Sequence, residues 1–144
     1  MTQLIQAQKG NITKEMQEVA KDEGVSIQSL IENIAKGYIV IPKNKNRKKV
    51  RSVGVGKGLK TKVNANIGTS KDCENIGLEM EKAMVALKAG ADAIMDLSTG
   101  NKSINPLRKK IINEIPIPLG TVPIYEAVVC ALEKRGSTEK LTGD

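Results

Sequence analysis

Two carboxamides stand two residues apart in the run Lys62-Val63-Asn64-Ala65-Asn66-Ile67-Gly68-Thr69-Ser70. Alternate residues of a strand share a face, so Asn64 and Asn66 project together while Val63, Ala65 and Ile67 project the other way. A buried amide without a partner costs roughly 1–3 kcal/mol, so two on one face need a reason. A ligand-facing pair is one reading, and structural amides satisfied by neighbouring backbone are the other. Asp96, Ser98 and Thr99 close a second apolar run, and Thr121 and Tyr125 close a third. Ligands of parallel α/β folds sit beyond the carboxyl ends of the strands, where these three sets would lie. Helix capping accounts for Ser70, Asp72 and Thr99 equally well, which leaves Asn66, Asp96 and Tyr125 as site candidates.

The chain contains no histidine, and that removes the commonest general base and metal ligand. Its cysteines, Cys73 and Cys130, form no Cys-x-x-Cys pair and read as buried spectator thiols. With 144 residues, 40% apolar and 27% charged, the chain is long enough for a globular core. Aromatic residues are only Tyr38 and Tyr125, so aliphatic residues and Met must fill that core. No signal segment or membrane span is legible, and a reducing, cytoplasmic compartment fits best.

The net charge of +7 is local. Lys43, Lys45, Arg47, Lys48, Lys49, Arg51, Lys57, Lys60 and Lys62 are nine basic residues with no acidic one among them, leaving 14 basic against 16 acidic residues elsewhere. A solvated loop, a wall that attracts a phosphorylated small molecule, and a nucleic-acid patch compete for this segment. No aromatic residue interleaves it to stack bases, which disfavours nucleic acid. Gly54, Gly56 and Gly58 lie in the same stretch without the spacing of a phosphate loop or dinucleotide fingerprint, so a turn or bulge is expected.

The elements that must position these residues follow from periodicity and caps. Thr13 caps a helix to about Glu23, with Met16, Val19 and Ala20 inward and Gly24 at its end. Ser26 begins another, with Ile27, Leu30, Ile31 and Ile34 at helical spacing. Tyr38 to Pro42 forms a short strand. Thr61 to Ile67 reads as a buried strand, followed by a helix capped by Ser70 or Asp72 and running to about Ala89 along Ile76, Met80, Ala83 and Leu87. Ala91 to Leu97 is the next strand, Ile104 to Glu114 a helix with Pro106 in its first turn. A third strand lies within Ile117 to Ile124, and a last helix starts near Tyr125. This β-α-β-α-β-α order predicts a parallel sheet.

Lys62 to Gly68, Met95-Asp96-Leu97-Ser98-Thr99-Gly100 and Gly120-Thr121-Val122-Pro123-Ile124-Tyr125 together resemble the phosphomethylpyrimidine synthase family of thiamine-pyrimidine synthases. Met1-Thr2-Gln3-Leu4, Ile39-Val40-Ile41-Pro42 and Val55-Gly56-Lys57-Gly58-Leu59 agree in order and spacing, so the likeness runs to about Gly136. It implies a radical S-adenosylmethionine lyase with a [4Fe–4S] cluster and zinc, which converts aminoimidazole ribonucleotide into hydroxymethylpyrimidine phosphate with release of formate and carbon monoxide. It also implies substrate contacts at Asn66, Met95 and Tyr125, and leaves a homodimer open for the full-length family. Met95 is out of phase with Asp96, so a regular strand cannot turn both inward.

The departures are equally definite. The resemblance implies histidine metal ligands and a Cys-x-x-Cys-x-x-x-x-Cys cluster motif, and neither is present here. Asn101 stands where the family commonly has a second glycine, and Ser137 to Asp144 does not continue the pattern. A closed (βα)8 barrel takes at least roughly 200–250 residues. The expected fold is therefore α/β: residues 1–59 form a small helical region with short strands and the basic segment, and residues 60–144 the first three βα units of a TIM-type barrel. Such a chain is expected to be a truncated form, inactive alone. The alternative is a non-catalytic module that binds a phosphorylated ligand or nucleic acid.

Overall fold

A computed structural model describes residues 1–47, 49–100 and 104–140. Lys48 and Asn101, both singled out above, and the last four residues lie outside these. The chain divides into two compact units, Met1–Lys62 and Val63–Asp144.

In the first unit, α1 (Gln3–Gln8), α2 (Lys14–Glu23) and α3 (Ile27–Ala35) precede an antiparallel pair, β1 (Ile39–Val40) and β2 (Val55–Gly56). The Thr13 and Ser26 hydroxyls accept N–H bonds from Met16 and Ser29 at 3.2 Å each, and Gly24 ends α2 in the left-handed region. These are the caps that the sequence predicts. Met16, Val19, Ala20, Leu30, Ile31 and Ile34 form the core with Ile39 and Ile41. Helix α1 has no apolar stripe to announce it and buries only Ala7. Six residues are too few to hold a helix on local grounds. It packs on α3, and its Gln3 accepts from the Thr13 hydroxyl at 2.7 Å and donates to Glu15 at 3.2 Å. At Gly56 (φ +146°) a Cβ would lie 2.1 Å from the Tyr38 carbonyl oxygen, so this glycine permits the close approach of β2 to β1.

The basic segment lies against the acidic side of α2. Lys43 Nζ is 3.3 Å from Glu18 and 3.8 Å from Glu15, and Lys62 Nζ is 2.9 Å from Glu23. The Lys60 N–H donates to Glu23 at 2.7 Å, and its ammonium to the Asp22 carbonyl at 2.6 Å. Part of the local positive charge is thereby neutralised by residues that lie far away in sequence.

The second unit contains β3 (Asn64–Ile67), α4 (Ile76–Lys88), β4 (Ala93–Asp96), α5 (Ile104–Glu114), β5 (Leu119–Thr121) and α6 (Pro123–Arg135), then a 3₁₀ turn at Thr138–Lys140. The three strands form a parallel sheet in the order β3-β4-β5. Ile67 and Ile94 meet Met80, Ala83, Leu107 and Ile111 in a second core, with Ala65 and Leu119 packed beside them. Helices therefore cover the face that carries these residues. Helix α4 starts later than expected. Asn75, whose side chain accepts the Leu78 N–H at 3.0 Å, is its cap, while Ser70 and Cys73 exchange backbone hydrogen bonds in a turn ahead of it. That turn leaves Cys73 exposed, and Cys130 is only half-buried, so neither thiol is the buried spectator expected. Among the described residues no helix is long and apolar enough to cross a membrane.

Candidate functional site at the strand carboxyl ends

Register decides which side chains share a face. Asn66 pairs with Met95 and Met95 with Gly120, forming one row across all three strands, with Asn64 beside Ala93 two residues earlier. This row lies on the face opposite the helices. The amides that looked buried in the sequence are exposed, as is Val63 at the edge. β3 is an edge strand of the three-stranded sheet. Met95 leans across β5, because a Cβ at Gly120 would sit 3.0 Å from its Sδ and Cε. Asn66 and Met95 are neighbours in backbone register, with the thioether over β5.

The phase problem between Met95 and Asp96 resolves without any irregularity in the strand. Asp96 turns toward the helices and is fully buried. Its Oδ1 accepts the Ser98 N–H at 3.0 Å and the Ser98 hydroxyl, while its Oδ2 takes the Arg108 Nε–H at 2.6 Å. Arg108 in α5 reaches on to Glu126 in the first turn of α6 through Nη1. The Ser98 Oγ accepts the Thr69 N–H at 3.0 Å, and the Thr69 carbonyl accepts N–H groups from Thr99 at 2.8 Å and Gly100 at 3.1 Å. Burial alone would lower the Arg108 pKa, but its hydrogen bonds to Asp96 and Glu126 outweigh that and hold it above the ordinary value. Asp96, a site candidate on sequence grounds, is thus a buried anchor.

Backbone geometry between β3 and β4 is equally tight. A Cβ at Gly68 (φ +155°) would stand 2.7 Å from the Ser98 nitrogen and 2.8 Å from the Leu97 carbonyl carbon, so only glycine fits. The Gly68 N–H donates to Glu79 of α4 at 2.7 Å, and Glu79, almost wholly buried, also meets Lys82 at 2.5 Å.

Tyr125 is the third residue of α6, exposed, directly after β5. Because the strands are parallel, it lies at the same end of the sheet as Asn66 and Met95. An open groove of about 470 Å³ borders Asn66, Ile67, Leu78, Lys82 and Val85 along the outer edge of β3, and neither Met95 nor Tyr125 lines it. The three residues share an end of the sheet without sharing that groove. Glu79, Arg108 and Glu126 carry no signal in the sequence, because the Gly68 N–H that Glu79 accepts and the partners that join Arg108 to Asp96 and Glu126 lie eleven or more residues away.

The residues present do not fit an iron–sulfur cluster or zinc. Among the described residues no three His, Cys, Asp or Glu side chains converge as metal ligands, and the sequence holds no His and no cysteine triplet.

A three-stranded parallel sheet with helices on one face and polar groups at its carboxyl ends defines the class, an α/β protein. The model of the Radical SAM ThiC family matches residues 2–144, and the chain belongs to that family. It is 54% identical to a phosphomethylpyrimidine synthase of Dehalococcoides mccartyi (strain ATCC BAA-2100 / JCM 16839 / KCTC 5957 / BAV1), over 100% of this chain and 33% of that protein. Proteins of the same name from Moorella thermoacetica and Methanocaldococcus jannaschii are each 52% identical over the same shares. The chain spans about a third of the length of the curated relatives it matches.

Proposed function

We propose that this chain supplies the amino-terminal part of a phosphomethylpyrimidine synthase of thiamine biosynthesis. Its three βα units would be the first of a TIM-type barrel, and its open strand face would line the interior. The observation that carries this reading is the register row Asn66–Met95–Gly120, with Tyr125 at the same end of the sheet. An amide, a thioether and a phenol offer hydrogen bonds and an apolar wall to aminoimidazole ribonucleotide. The Asn66 amide would bond the ribonucleotide, and Tyr125 would present its hydroxyl and ring face at the rim. S-adenosylmethionine, the [4Fe–4S] cluster and zinc belong to the family chemistry, and their ligands would come from outside these 144 residues. The chain alone is accordingly inactive. The complete enzyme would act in the cytoplasm, and a homodimer is the assembly to test. A nucleic-acid module has less support, because Lys43, Lys60 and Lys62 are engaged by α2.

The test is a graft of this chain onto the remaining two thirds of the Moorella thermoacetica protein, assayed for hydroxymethylpyrimidine phosphate. The graft forms product, and Asn66→Ala raises KM by about three- to tenfold, the worth of one hydrogen bond. A folded graft that makes no product, or an Asn66→Ala variant with unchanged KM, overturns the reading.

A further inference from the structure

The first turn of α6 carries Tyr125, and that turn has no side-chain cap of its own. Val122 occupies the cap position with no capping hydrogen bond, and Pro123 follows at the start of the helix. Tyr125 is bonded there by a backbone N–H to the Val122 carbonyl at 3.1 Å. What links this turn to the sheet through polar groups is the next residue, Glu126, which meets the Arg108 Nη1. Arg108 in turn is held at 2.6 Å by Asp96, and Asp96 by Ser98, whose Oγ receives the Thr69 N–H from beyond β3.

One continuous chain of hydrogen bonds therefore joins the end of β3, the end of β4, α5 and the first turn of α6. Its middle is buried: Asp96 is fully inaccessible, and the Arg108 side chain is only 14% exposed. A buried ion pair often stabilises no better than well-packed apolar residues of the same volume, and its best-attested use is to fix one geometry among several. The guanidinium suits this, because its rigid fork presents two donors to two carboxylates at once, as a lysine ammonium does not.

We propose that Arg108 is a positioning residue: clamped between Asp96 and Glu126, it fixes the first turn of α6 so that Tyr125 stands in one orientation at the strand ends. The functional side of this inference rests on the reading of Tyr125 as a substrate contact. The clamp itself concerns only this chain. Glu126 is the working arm, and it can be removed without stranding a buried charge in the middle of α5, since Arg108 keeps its pair with Asp96.

The chain is well suited to a direct readout, because Tyr38 and Tyr125 are its only aromatic residues. In a Tyr38→Phe background labelled with 3-fluorotyrosine, the ¹⁹F spectrum reports Tyr125 alone. The expected result is one narrow resonance for the parent chain. Glu126→Ala shifts and broadens it while the thermal midpoint stays close to that of Glu133→Ala, a glutamate on the same helix outside the clamp. Arg108→Lys does the same, because it keeps the buried charge but cannot bridge both carboxylates. Glu126→Ala and Arg108→Lys spectra that superimpose on the parent overturn the proposal, as does an equal shift from Glu133→Ala. The functional reading fails separately: a Tyr125→Phe graft that keeps its KM removes the substrate contact while leaving the spectral outcome intact.

Discussion

Asp96 makes its polar contacts away from the open face. Its carboxylate is fully buried, and its charge is answered by Arg108 and by two groups of Ser98. Removing one partner of a buried pair leaves the other charge desolvated and uncompensated, which costs about 3–5 kcal/mol. Asp96→Ala therefore lowers the stability of the sheet-bearing unit by that amount in urea unfolding. A loss below about 1 kcal/mol, the scale of a surface pair, would show that water screens the site. Alternation alone gives the shared face of Asn64 and Asn66, whereas Met95 entered only through the family resemblance. Asp96 was misread because its inward orientation depends on Arg108, twelve residues later on another element, and no local pattern announces that partner. The same holds for Glu79, which is buried by the backbone N–H of Gly68 rather than by any apolar stripe.

At the level of elements, periodicity located α2, α3, α4 and α5 and the order of three parallel strands, while ends and caps depended on turn geometry. Helix α4 is the instructive case. Ser70 has the chemistry of a cap, but its backbone is already engaged with Cys73. Asp72 falls inside that turn, and the first free capping position is Asn75. A lost N-cap costs about 0.5–2 kcal/mol. Asn75→Ala is thus expected to destabilise the unit by about 1 kcal/mol in denaturant titration, with Asp72→Ala close to neutral. Equal losses from the two would put the helix start back where the sequence suggested it. Helix α1 was illegible for the opposite reason: its stability is tertiary, drawn from α3, Thr13 and Glu15, and six residues carry no periodic signal.

Across the whole molecule, the parallel sheet was readable, whereas its openness is a property of how few strands there are. The strand from Thr61 to Ile67, expected to be buried, is an edge strand that leaves Asn64 and Asn66 exposed, while Met95 and Gly120 in the same row are half-buried. Charge behaves in the same way. A net +7 concentrated in one segment invites a search for an anionic partner, yet α2 supplies anions from within. The consequence is a distinct response to acid. Glu18 is held below the ordinary carboxylate value of 4.5 by the Ser52 hydroxyl, at 2.5 Å, against a smaller opposing effect of burial and with help from Lys43. Glu15 is lowered mainly by its backbone hydrogen bond. For Glu23, burial pushes upward, but the bonds from Lys62 and the Lys60 N–H outweigh it. An acid whose folded pKa is depressed contributes stability above its unfolded pKa and loses it as the pH falls through the folded one. With no histidine in the chain, nothing of that type titrates between pH 5 and 8. The first unit is therefore expected to keep a constant unfolding free energy from about pH 8 to 5, and to weaken as the pH drops below about 4.5. Glu18→Gln should flatten part of that acid limb while leaving the plateau shape unchanged. A midpoint that already falls between pH 7 and 5 in urea titrations would mean that the contacts between α2 and the basic segment are not what holds that unit together.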